Sequence, residues 1–148
     1  MLPGYGVSEV AVQLRRGLKN HGWDLNIGFL DGEPSDDGQV LFIPADPTEV
    51  VAYCARNKVD VVVAQTSPYF EILPAIARDV PVVCYEHGDP TPAFFHEEAN
   101  IREQVRRNKI ENVYPHVAEV WTTSHFLRHD IEWLGAKVIP LAADHVGQ

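Results

Sequence analysis

Short runs of apolar and β-branched residues recur along this chain, each followed by a stretch long enough for a helix. That alternation leaves few folds open. Val59-Asp60-Val61-Val62-Val63-Ala64 and Pro81 to Tyr85 are apolar enough to be strands buried on both faces. Asp24 to Leu30, Val40 to Ile43, Ala118 to Thr123 and Lys137 to Leu141 read as further strands. Helical patterns separate them. Val7, Val10, Ala11, Leu14 and Leu18 form one face, with Ser8 as N-cap, Glu9 in the first turn and Gly22 as the stop. Pro47 opens a helix over 48–58, Tyr69 to Arg78 is helical with an interruption near Pro74, and 93–112 is a polar helical excursion. Phe126 to Leu134 is a helix ended by Gly135. Strands separated by helices imply right-handed crossovers and an α/β, Rossmann-like, doubly wound and mostly parallel sheet with helices on both faces.

One strand is missing from the pattern. A glycine-bearing loop that opens a helix ordinarily follows a strand, and only Met1 and Leu2 precede the loop at 1–7. The preferred reading is an incomplete start, with low stability as its consequence; otherwise another strand or a partner chain fills the gap.

With 148 residues, the length prior gives one domain, 1–148. The 21 acidic against 12 basic residues leave a net charge of −9, which argues against nucleic acid as a partner because phosphate binding needs clustered Lys and Arg. Cys54 and Cys84 lie in apolar segments and read as core residues in a reducing compartment. No apolar run approaches the roughly 20 residues of a membrane span, and no secretory signal is visible. A cytoplasmic domain is the expectation.

The candidate site is the strand exit Val80-Pro81-Val82-Val83-Cys84-Tyr85-Glu86-His87-Gly88-Asp89-Pro90. Polar groups gather there at a strand's carboxyl end, where open α/β sheets bind ligands. His87 is the leading candidate, with Gly88 permitting an unusual backbone and Asp89 nearby as an orienter. Glu86 faces the opposite way by strand alternation and ranks lower.

Four segments resemble the N-terminal domain of GT-B-fold glycosyltransferases, in particular glycosyltransferase family 4 (group 1). G-Y-G-V-S-E-V-A-V-Q-L-R-R-G-L-K-N-H-G-W-D-L-N-I resembles the family's glycine loop, first helix and second strand. V-D-V-V-V-A-Q-T-S-P-Y-F resembles its D-V-V-H-x-H-x-P segment, and V-P-V-V-C-Y-E-H-G-D its P-V-V-x-T-x-H-G strand. V-A-E-V-W-T-T-S-H-F-L-R-H-D, with V-I-P-L-A-A-D after it, resembles the A-D-x-V-I-x-x-S-x-F-x-x-x-D helix and the exit to a second domain. The resemblance implies the acceptor-binding half of a retaining enzyme that moves a sugar from a nucleotide-sugar donor to a carbohydrate or lipid-linked acceptor. It implies His87 as the catalytic residue near the transferred sugar, and Gly4, Tyr5 and Gly6 near the donor phosphates. Ser67, Tyr69, Gly88, Asp89 and Ser124 would line the substrate cleft. No cofactor or metal is implied. The family's E-x(7)-E motif is absent, so a C-terminal donor domain or partner chain is expected as a partner, and the chain alone is expected to be inactive.

Other motifs carry competing readings. His96-Glu97-Glu98 lacks the second histidine of H-E-x-x-H, and His125 with His129 at i and i+4 lacks a third ligand, so no metal is expected. Ser124 lacks a nucleophile elbow and reads as a helix N-cap, and Ser67-Pro68-Tyr69 is either a pocket wall or a capped helix start. Arg102, Arg106, Arg107 and Lys109 form the one basic stretch. They are a solvated helix face or a site for an anionic headgroup, the latter allowing peripheral membrane contact. Phe94 and Phe95 are an acceptor-side lip or core. Two functions compete with sugar transfer: a sugar-nucleotide epimerase half-domain of the same fold, and a non-catalytic binding or interaction module.

Overall fold

A computed structural model describes the backbone of residues 6–30, 32–88 and 99–140, with side chains from 13 in the first stretch and at 101 and 103–140 in the last. In chain order the elements are α1 (Gly6–Lys19), β1 (Ile27–Phe29), β2 (Val40–Phe42), α2 (Pro47–Asn57), β3 (Val62–Ala64) and α3 (Tyr69–Ile76). There follow β4 (Val82–Glu86), α4 (Ala99–Asn112), a 3₁₀ turn (Tyr114–His116), β5 (Glu119–Thr122), α5 (His125–Asp130) and β6 (Lys137–Val138). Every ladder is parallel. The strands form two sheets, however: one of order β1-β2 and one of order β3-β4-β5-β6. The α/β architecture read from the sequence is present, and the sheet is divided between β1 and β3.

Local chemistry accounts for the helix ends. Asp46 caps α2, accepting from the Thr48 and Glu49 backbone N–H groups at 2.8 and 3.3 Å, with Pro47 in the first turn. Gly22, at φ +83°, closes α1: its N–H reaches Lys19 O at 3.2 Å and the Trp23 N–H reaches Leu18 O at 3.0 Å, a Schellman pair. Ser8 lies inside α1 rather than capping it, because the helix already begins at Gly6. Pro74 sits within an unbroken but short α3, which ends at Ile76 rather than Arg78. Helix α5 stops at Asp130, before Gly135, because the left-handed turn falls on Glu132 at φ +56°.

Two strands also differ from expectation. Ladder pairing in the Val59 to Ala64 run covers only Val62–Ala64, since Lys58 turns left-handed at φ +53° and the chain settles into the ladder only at Val62. It is not buried on both faces: Val61 is 36% exposed and Val62 and Val63 are half-buried, because no strand pairs with the β1-facing side of β3 among the described residues. β4, by contrast, is buried at all five positions.

The core lies between β3-β4-β5 and helices α2, α3 and α5. Leu73, Ile76, Val82, Cys84, Val113 and Val120 are all nearly inaccessible there. Cys54 and Cys84 are free and buried. The smaller sheet is tied to this body by side chains. The Tyr69 hydroxyl donates to Ile43 O at 2.6 Å, and the Asn26 amide donates to the Tyr53 hydroxyl at 2.8 Å. Arg15 of α1 holds the loop before β2 through Asp37 at 3.2 Å. No helix among the described residues is long and apolar enough to cross a membrane.

Candidate functional site

Register places three strand exits side by side. Ala64 aligns with Cys84, and Glu86 with Thr122, so Gln65 to Ser67, His87 to Gly88 and Thr123 to Ser124 follow on one sheet edge. Neighbouring strands are about 4.8 Å apart, so these exits form one continuous polar rim with His87 in the middle.

His87 is half-buried at that rim. Its Nε2 lies 3.0 Å from the Gln65 carboxamide oxygen, and its ring packs 4.4 Å from the Tyr85 ring. A carboxamide oxygen only accepts, so Nε2 carries the proton, and in the neutral ring Nδ1 is an acceptor. Burial pushes the imidazole below its ordinary value, which keeps it neutral near pH 7. Tyr85 is itself anchored: its hydroxyl donates to Ile139 O at 2.8 Å and its ring meets Trp121 edge-on at 5.5 Å. A positioned, uncharged ring of this kind offers a hydrogen-bond acceptor rather than a stabilising charge. Gly88 follows at φ +128°, a conformation that strains any residue with a Cβ, although the space around it is open.

The structure places the remaining sequence-derived candidates as follows. The Ser67 hydroxyl donates to the Glu71 carboxylate at 2.7 Å, holding the first turn of α3. Tyr69 is committed to Ile43 O, and burial raises its hydroxyl to about 12. Ser124 caps α5, accepting from the Leu127 N–H at 3.1 Å. All three therefore have structural work, and the Tyr69 hydroxyl is engaged at the exit of β2. Gly6 opens α1. Gly4, Tyr5 and Asp89 lie outside the described residues, as do Phe94, Phe95, His96, Glu97 and Glu98.

Sequence reasoning underrated Glu86. Its side chain leaves β4 on the face opposite His87, as alternation requires, and it is 2% exposed. The Tyr114 hydroxyl donates to its Oε1 at 2.7 Å and the Lys109 ammonium lies 3.0 Å from the same oxygen. Lys109 also sits 4.8 Å from the centre of the Phe70 ring. Burial, and then the Glu86 charge, push the Tyr114 hydroxyl and the Cys84 thiol far up, so both stay protonated. An acid closing a fully apolar strand was the available signal; its partner, 23 positions later, was not visible.

Lys109 therefore points inward rather than joining a basic surface. Arg106 bonds Glu103 and Asp130 O, the latter at 2.7 Å, and Arg107 bonds Glu103 at 3.1 Å. Arg106 and Arg107 thus share the Glu103 carboxylate within α4. The Arg102 side chain lies outside the described residues. His125 and His129 are exposed on α5, and no group of three metal-ligating side chains occurs among the described residues. A surface depression of about 480 Å³, lined by Pro74, Ala75, Ala77, Arg78 and His116, lies near the amino ends of β4 and β5, opposite the rim.

The profile of Glycosyltransferase Family 4 matches residues 5–145, and the chain belongs to that family. No curated protein and no solved structure matched it.

Proposed function

We propose that this chain is the acceptor-side domain of a retaining glycosyltransferase. Such an enzyme transfers a sugar from a nucleotide-sugar donor to a carbohydrate or lipid-linked acceptor. Family membership over nearly the whole chain supports transferase chemistry. The observation that carries the assignment to this rim is His87, fixed by Gln65 and Tyr85 at the central strand exit.

In this reading His87 is catalytic in the sense that its Nδ1 accepts from a hydroxyl of the transferred sugar, fixing the ring while the bond to the leaving diphosphate breaks. Gly4, Tyr5 and Gly6 stand on the phosphate side, where the N–H groups at the start of α1 favour an anion. Gly88, Asp89, Ser67 and Ser124 supply the rest of the rim. No metal is invoked, and diphosphate stabilisation falls to a donor-binding domain in the same or another polypeptide. The buried free thiols fit a cytoplasmic setting.

The test uses the purified chain with radiolabelled nucleotide sugars and mixed carbohydrate and lipid-linked acceptors. Weak saturable binding without turnover, reduced at least tenfold in His87→Ala, is expected. Binding unaffected by His87→Ala and by Gly88→Val overturns the assignment of the rim and favours an interaction module. Interconversion of the sugar nucleotide without transfer favours an epimerase.

A further inference from the structure

We infer that Gln65 is the specificity-determining residue of this rim. It holds His87 with Nδ1 as a bare acceptor, so the position takes a hydroxyl of a neutral sugar and turns away a sugar bearing a carboxylate there. The choice of sugar rests on the sugar-transfer reading; the setting of the ring by Gln65 does not.

Register brings the two residues together. Ala64 pairs with Cys84, so Gln65, one position beyond β3, comes level with Tyr85. Side chains alternate along a strand, which puts Gln65, Tyr85 and His87 on one face and Glu86 on the other. Tyr85 pairs in turn with Trp121 on β5. The imidazole is thereby confined twice. Its ring packs on Tyr85, with 4.4 Å between centroids at an interplanar angle of 37°, and Tyr85 is itself fixed by Ile139 O and Trp121. Its Nε2 meets the Gln65 Oε1 at 3.0 Å. Turning the ring over would carry a carbon, Cε1, to the place of Nε2 and forfeit that bond.

What the ring can bind follows from the kind of group at position 65. A carboxamide oxygen accepts from a protonated Nε2 but carries no full charge. A carboxylate in the same place would stabilise the imidazolium, put a proton on Nδ1 as well and make the ring a cationic donor. No other described group supplies that charge. Glu86 leaves β4 on the opposite face, where Lys109 and Tyr114 take its carboxylate. Glu119, further back on the face of Trp121, is paired with Lys137, and Glu71 accepts from Ser67. Burial alone moves the protonation of His87, toward the neutral ring. The Nδ1 lone pair then accepts from an O–H group and repels a carboxylate, whose charge would also lose water at this half-buried position. Rejection of the wrong sugar is built in as repulsion, not only as a missing contact.

NMR of the imidazole nitrogens and their protons in the full chain tests both halves. In the parent at neutral pH, Nε2 should carry a proton sheltered from solvent exchange, and Nδ1 should be bare. Gln65→Met keeps the length and removes the acceptor, so that shelter should fall at least about tenfold. Gln65→Glu should raise the His87 pKa until Nδ1 is protonated near pH 6.5. Either variant alone decides the role of Gln65. Methyl glucoside and methyl glucuronide, which differ in one group, then serve as probes. In the parent the glucoside should move the His87 signals at concentrations at least about tenfold lower than the glucuronide, and in Gln65→Glu that preference should shrink at least about fivefold. A proton on Nδ1 in the parent, or a ring indifferent to the change at 65, overturns the role of Gln65 and leaves the sugar-transfer reading standing. An equal response to the two glycosides, or a preference for the glucuronide, overturns the selectivity. If neither glycoside moves the signals while the dependence on Gln65 holds, the sugar-transfer reading of the rim fails, and the choice of sugar with it.

Discussion

Glu86 and His87 are neighbours in sequence, yet they leave β4 into opposite environments. On one side Glu86 is sealed with Lys109 and Tyr114 beneath α4. On the other His87 stands half-open at the rim with Gln65 and Tyr85. A charge survives burial only with a partner in place, so the first side is rigid and intolerant of single changes. A neutral ring with one fixed hydrogen bond retains a spare acceptor, so the second side can meet a ligand. One strand thereby carries a buried ion pair on one face and, under the proposed function, the recognition group on the other.

The most severe break in this contrast is Lys109→Met. It leaves Glu86 as an uncompensated buried carboxylate and should cost about 3–5 kcal/mol in urea denaturation. The double variant Glu86→Gln/Lys109→Met should recover much of that loss; equal loss in both would show that the pair is not what holds this face. On the recognition side, Gly88→Ala should cost about 1–3 kcal/mol, because φ +128° strains an alanine although space is open. A thermal melt unchanged from the parent would mean that the turn relaxes. Ser124→Ala, one exit along, should cost about 1 kcal/mol through loss of the α5 cap, and Ser124→Asp should restore it.

The smallest effect is pH-dependent. Burial lowers the His87 pKa in the fold, while the unfolded chain titrates near 6.5. As pH falls below about 6.5 the unfolded state takes up the proton first, so stability declines until the folded-state pKa is passed. In His87→Gln the stability profile should lose that step. Persistence of the step would assign it to another histidine.

How much of this was legible beforehand differs between the two faces. His87 could be read because an apolar strand running into His-Gly is a local signal, and the glycine's positive φ follows from that signal. The caps at Asp46 and Ser124 are equally local, although only Ser124 was read as one. The Glu86–Lys109 pair could not be read, because nothing near Lys109 marks it as different from Arg106 or Arg107. Its burial depends on α4 lying across the end of β4. Tyr69 shows the same limit: it was read as a pocket residue from its place after a strand, and its hydroxyl is committed to Ile43, 26 positions earlier.

By itself, the sequence determined the class of fold, the carboxyl-end location of the polar rim and the histidine at its centre. These follow from hydrophobic period, strand alternation and turn chemistry, all of which act over a few residues. Tertiary structure alone decided which charges are buried, which edges of the sheets are closed and where the sheet divides. Those outcomes depend on distances between segments far apart in the chain, which no local pattern encodes.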